Sequence, residues 1–179
     1  MKPIILLFWQ ICRLKQGPEY VPTQTWFVSL VIVANLLCSL LVSGVINVTF
    51  AEPDPANGAQ QGLSLLSTAT GIVVGQTTTA ALTWLALQLR EFADRFFATI
   101  TALFGCDLLI TACFGGQLPL LSLIPAARSL VFLLMLIWSI SVMGFILHRA
   151  LQVQLSIGIL VAIGISIMGV AMSEVAVAT

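Results

Sequence analysis

Charge is what this chain lacks. Only 8% of its 179 residues are charged, seven basic and seven acidic, and it holds one His and one Tyr. Soluble domains carry about 25% charged residues, so a water-soluble fold of this length would have too little polar surface. Net charge is formally zero and the basic residues are scattered, which leaves no patch for phosphate contacts and excludes nucleic acid as a partner. Four cysteines occur, at Cys12, Cys38, Cys106 and Cys113, but none makes a Cys-x-x-Cys pair. Cys106 and Cys113 stand two turns apart on one predicted helix, too far to bridge, and free thiols of this kind read as small buried hydrophobes. Scattered thiols and the lone His148 supply too few ligands for a metal site, and no cofactor is expected. Walker A, His-Glu-x-x-His and Gly-x-Ser-x-Gly motifs are missing, so no enzymatic activity is expected. A membrane enzyme would need acid-base groups gathered at one interface, where only His148, Glu91 and Asp94 stand.

What the chain does have is long apolar runs: 59% of it is hydrophobic and its mean hydropathy is +1.09. The expected fold is all-α and integral to a membrane, one transmembrane domain over residues 1–179. Five transmembrane helices are predicted at about 26–50, 63–89, 96–114, 129–147 and 155–172, preceded by a short N-terminal interfacial helix at 3–14. The N-terminal run begins like a secretion signal, but Arg13 and Lys15 follow it directly and no Ala-x-Ala-like site appears. It is too short to cross about 30 Å of hydrocarbon, so it is read as lying in the interface, with Lys2, Arg13 and Lys15 reaching headgroups.

Between the runs, Gln16–Pro22 reads as a turn and Ala51–Gly62 as a polar loop marked by Pro53, Pro55 and Asn57-Gly58. Arg90–Arg95 reads as a short helical elbow, with Arg90 paired to Asp94 and Glu91 to Arg95 at i, i+4. Leu118–Ala127, bracketed by Pro119 and Pro125, reads as an apolar loop that dips into the interface or lies on another protein. Lys2, Arg13, Lys15, Arg90, Arg95 and Arg149 fall on the N-terminal side, against Arg128 alone on the other, which receives Glu52 and Asp54. That bias makes the N-terminus cytoplasmic and the C-terminus external. Trp9, Tyr20, Trp26 and Trp84 gather at the cytoplasmic interface as an aromatic belt.

Among these residues Asp107, halfway along the third span, is the acid nearest the middle of any run. An aspartate at a helix centre costs roughly 2.5–3.5 kcal/mol to insert, so it calls for an inward-facing partner or a proton or ion path. No basic residue lies at its depth. Asn35 and Gln76 do, with Thr77–Thr79 nearby, and the expectation is an intramembrane polar cluster of Asp107, Gln76 and Asn35. The second span carries Ser67, Gly71, Gly75, Thr79 and Thr83 every fourth residue, a helix-packing stripe whose small side chains allow close approach and whose hydroxyls can bond across it. Gly158, Ala162 and Ser166 repeat the spacing in the fifth span. His148-Arg149 reads as an anchor at the headgroups and Trp138 as packing.

The segment Trp9-Gln10-Ile11-Cys12-Arg13-Leu14-Lys15-Gln16-Gly17-Pro18, with Pro22 after it, resembles the opening of uncharacterised small multi-pass inner-membrane proteins of proteobacteria. In those, an aromatic-x-x-Cys stretch and a Gly-Pro-x-x-x-Pro turn precede several spans. The five-span count with a cytoplasmic N-terminus is also similar to that of Yip1-type membrane proteins. The resemblance implies a bacterial inner membrane and a periplasmic C-terminus, and carries no activity or site residues. The leading expectation is a non-enzymatic accessory, scaffold or assembly subunit of a larger membrane complex. Its partners would be the lipid bilayer and a protein or second copy met through the second span or the Leu118–Ala127 loop. The alternative is a small proton- or cation-coupled transporter or channel using Asp107.

Overall fold

In lipid, backbone N–H and C=O groups find no water, and a helix satisfies them within a single segment. The chain follows that rule. A computed structural model describes residues 4–50, 60–123 and 125–178, with side chains over 6–46, 66–118 and 128–177. It contains α1 (Ile4–Cys12), α2 (Thr25–Phe50), α3 (Gln60–Leu89), α4 (Phe96–Leu123), α5 (Pro125–Leu151) and α6 (Leu155–Ala178), with 3-10 turns at Pro18–Tyr20 and Ala93–Arg95. Helices α2 to α6 are long and apolar enough to span a membrane, and the short N-terminal helix is present. Of the polar loop expected over 51–62, residues 51–59 lie outside the described residues, as does Lys2, while Gln60 already opens α3.

Two connections differ from expectation. The apolar loop expected over Leu118–Ala127 is helix: α4 runs through Pro119 to Leu123 and α5 starts at Pro125. A Gly-Gly pair ends helices in water, but without water the backbone keeps its own hydrogen bonds and the helix continues. Gly115 serves packing instead, since a Cβ there would lie 2.7 Å from Val42 Cγ2 of α2. Pro125 takes the first helical position, where its missing N–H is no loss. The second difference is the elbow, which breaks at Glu91 (φ 61°). That break removes the i, i+4 alignment expected for Arg90–Asp94 and Glu91–Arg95. Arg95 instead sits 4.9 Å over the Phe92 ring. With its amide oxygen turned to the guanidinium, Gln152 accepts from Arg95 Nη1 and Nη2 at 2.9 and 3.0 Å, tying the α5–α6 turn to the start of α4.

The spans close into a ring in the order α2, α4, α5, α6, α3. Packing is most extensive for α3 on α6, α5 on α6 and α2 on α4, and slight where α3 returns to α2. Helices α2 and α4 run parallel, with Asn35 beside Asp107 and Val42 beside Gly115. Helix α6 is antiparallel to both neighbours, Ser173 facing Gly71 on one side and Ile159 facing Gly144 on the other.

Two buried clusters fill the half of the ring nearer the start of α4. One joins α1, α2, α4 and α5 through Phe8, Ile11, Phe27, Ile100, Phe104, Val142 and Ile146. The other joins α3, α5 and α6 through Leu87, Leu147, Ala150, Leu151, Ala162 and Ile165. The outer surface carries exposed rows such as Leu30, Val33, Leu37 and Leu41 on α2, and Leu130, Leu133, Leu134 and Ile137 on α5. Such rows belong against lipid tails. Tyr20, Trp26 and Trp84 are exposed as well, close to the ends of their helices, as rings in an interfacial belt would be, whereas Trp9, also exposed, lies against Trp138 halfway along α5 and not at a helix end.

Helix α1 is docked on the bundle. A Cβ on Gly105 would clash with the Phe8 ring, which stacks on Phe27 at 6.3 Å. The carbonyl of Cys12, one of the unpaired acceptors at the end of α1, accepts from Trp138 Nε1 at 3.1 Å. Trp138, read from sequence as packing, also meets Trp9 edge-on. Cys12 Sγ reaches the Cys106 carbonyl and Cys106 Sγ the Phe8 carbonyl, at 3.9 and 3.8 Å.

Candidate functional site: a polar cavity inside the ring

The slack seam between α2 and α3 leaves a cavity of about 540 Å³ that all five spans line. Its floor is apolar, formed by Leu103, Phe104 and Ile146, all buried. Partly buried Asp107 stands just above, from α4. On its other side the cavity reaches Glu174, which is exposed. Among the described residues the cavity is therefore closed toward the end where α2 and α4 begin and reaches exposed Glu174 toward the end where they finish.

Two members of the expected polar cluster bond directly: Asn35 Nδ2 donates to Asp107 Oδ2 at 3.1 Å. Parallel α2 and α4 bring them level, and Asn35 is fully buried. The third member, Gln76, lines the same cavity from α3, but its buried Oε1 has no hydrogen-bond partner, and neither has Asn35 Oδ1. The cluster is thus a bonded pair and a separate, unpaired amide in the wall of one cavity.

Hydroxyls divide into two groups. Thr77, Thr78, Thr79 and Thr83 donate to carbonyls one turn back in α3, at 2.7–3.0 Å, so they satisfy themselves rather than bonding across the stripe. Ser39, Ser43, Ser139 and Ser173 line the cavity and have no hydrogen-bond partner among the described residues. The stripe itself is spent inside the chain. A Cβ on Gly71 would lie 2.9 Å from Ser173 Oγ, one on Gly75 would lie 3.4 Å from the Gly169 carbonyl, and Thr83 is fully buried. Ser67 also has an interaction within the structure. The second span's small-residue face, expected as one route to a partner, is covered by α6. Gly158, Ala162 and Ser166 face α5 in the same way: Gly158 fits against the Gly144 carbonyl, Ala162 is fully buried, and Ser166 Oγ lies 3.6 Å from Met143 Sδ.

Glu174 is the charged lining residue that sequence reasoning missed. The fifth span was predicted to end at 172, which put Glu174 in a tail; α6 continues to Ala178 and carries it on the cavity wall. The four serines were passed over too, although their place inside apolar runs was the available signal. Of the groups weighed for acid-base work at the opposite end, His148 bonds through Nδ1 to the Val153 carbonyl and closes the α5–α6 turn, and Glu91 occupies the end of α3. Among the described residues no three His, Cys, Asp or Glu side chains converge. The chain matches no known family, no characterised protein and no solved structure.

Proposed function

We propose that this multi-pass membrane protein binds a small cation in its central cavity, with Asp107 as the counter-charge, and acts as a transporter or channel. The observation that carries the reading is the lining: among the described residues, the carboxylates of Asp107 and Glu174 and four serines without a hydrogen-bond partner line one space, the unpaired amide oxygen of Gln76 is buried in its wall, and no Lys, Arg or His lines it. Acceptors without cations favour a donor-rich or positively charged guest. With the N-terminus in the cytoplasm, as the basic-residue bias favours, and in the bacterial inner membrane that the resemblance implies, the cavity would face the periplasm, with its inner side shut by the two buried clusters.

An accessory or scaffold role keeps less support. Of the features that suggested it, the stripe is occupied by α6 and the apolar loop is helix, which leaves only the small soluble portions. The test is flux. In proteoliposomes, wild-type protein should give cation- or pH-dependent flux that Asp107→Asn abolishes while its thermal unfolding stays close to wild type. If the substitution alters stability alone, the Asn35–Asp107 pair is a structural clasp and the transport reading fails.

A further inference from the structure

The cavity contains two carboxylates at different depths, and their separation speaks to the shape of the guest. Asp107 lies eleven residues beyond the start of α4, and Glu174 nineteen beyond the start of α6, two helices that start at the same end of the ring. At 1.5 Å per residue the axial offset is roughly 12 Å. A single metal ion takes its oxygen ligands at about 2–2.6 Å, so it can use one of these groups and not both. Between them the wall alternates hydrocarbon and hydroxyl: Ile72, Ile110 and Val170 beside Ser139 and Ser173. Gln76 adds its unpaired Oε1.

We propose that the cavity takes a linear organic dication of the α,ω-diaminoalkane class, one ammonium at Asp107 and the other at Glu174. This rests on the reading of the cavity as a cation site and goes further by fixing length and charge. The inner ammonium has three hydrogens to donate, and Asp107 and a serine hydroxyl are acceptors of the right kind; Gln76 Oε1, buried in the wall, becomes a third when its amide turns toward the guest. The methylene stem lies along Ile72, Ile110 and Val170. The outer ammonium meets Glu174 at the exposed rim, where it also remains hydrated. A short diamine reaches one carboxylate only, and a monoamine of full length leaves Glu174 unused.

The experiment is equilibrium binding to the purified full chain in lipid nanodiscs, with empty nanodiscs as blank, using diaminobutane, diaminooctane and octylamine. Diaminooctane should bind about two- to fivefold more tightly than the other two, the order expected for an added ion pair at an exposed rim. Glu174→Gln should bring diaminooctane down to the level of octylamine and leave octylamine unchanged. Equal binding of the three amines to the wild type overturns the proposal, and that comparison needs no variant to fold. An advantage for diaminooctane that survives Glu174→Gln overturns it too. Octylamine binding lost in Asp107→Asn, with no diamine advantage, defeats the dication alone. No amine binding at all defeats both this proposal and the cation-site reading.

Discussion

Two glycines of one helix allow the seam between α5 and α6 to be weighed. A Cβ on Gly158 would lie 2.6 Å from the Gly144 carbonyl oxygen, 2.8 Å from His148 Cβ and 2.9 Å from His148 N. Two of these are backbone atoms that no rotamer change can move, so Gly158→Ala must push the helices apart. Gly164, also in α6, has nothing within 4 Å of the same added atom. Both substitutions gain the helix preference of Ala over Gly, about 1 kcal/mol, so the difference between them isolates the steric cost. Overpacking a fitted contact costs about 1–3 kcal/mol. For a chain of this length that separates the two variants by roughly 2–12 °C in thermal unfolding, with Gly164→Ala above wild type and Gly158→Ala at or below it. Circular dichroism melts of the three proteins in one detergent would show it. If Gly158→Ala melts with Gly164→Ala, the close seam is not there and the ring order built on it is wrong.

Other substitutions test other contacts. Asn35→Ala removes the one side-chain donor to Asp107 among the described residues and should destabilise by about 1–3 kcal/mol; in an Asp107→Leu background the loss should shrink, and an undiminished loss in a double-mutant cycle would disprove the coupling. Trp138→Phe keeps a ring near Trp9 but leaves the Cys12 carbonyl without its indole donor. It should cost about 1 kcal/mol and speed hydrogen exchange in α1, whereas unchanged exchange there would mean that α1 is held by other contacts. Phe8→Ala empties the space between Gly105 and Phe27 and should cost about 3–5 kcal/mol, seen as easier proteolysis after Arg13 or Lys15.

The spans were legible because apolar length is a strong signal and lipid leaves the backbone few alternatives. Helix ends were less so. Leu14, Glu91 and Gln152 end α1, α3 and α5 with φ of 59°, 61° and 52°, and in each case the next residue's N–H bonds a carbonyl five residues back. That is the helix ending usually built on glycine, and with Leu, Glu and Gln in its place no turn marker stands there. At the far end of α4 the opposite error arose: Gly115-Gly116 and Pro119 looked like punctuation where the helix continues. The Asn35–Asp107 bond was legible from depth alone because α2 and α4 run parallel and level. The cavity was not, since it depends on which face each helix turns inward. Glu174 was hidden by the misplaced end of α6.

The position of the cavity follows from how α3 distributes its side chains. Gly71, Gly75 and Thr79 draw it against α6, where Gly169 and Ser173 answer with equally little bulk. This close fit uses up the smallest side chains of α3. The neighbouring face is left with Ile72 and Gln76, which look across the cavity to Ser39 and Ser43 of α2, and their bulk and polarity do not suit a tight apolar seam. Helix α2 has meanwhile found its close contact elsewhere, on α4 at Gly115. The ring therefore consists of two well-packed groups, α1 with α2 and α4, and α3 with α6. Helix α5 is shared, giving Val142 and Ile146 to one buried cluster and Leu147 and Ala150 to the other. Asp107 stands on the first group and Gln76 and Glu174 on the second, facing each other where the packing is weakest. A guest bound to both groups joins them, so its affinity and any relative movement of the groups are thermodynamically linked.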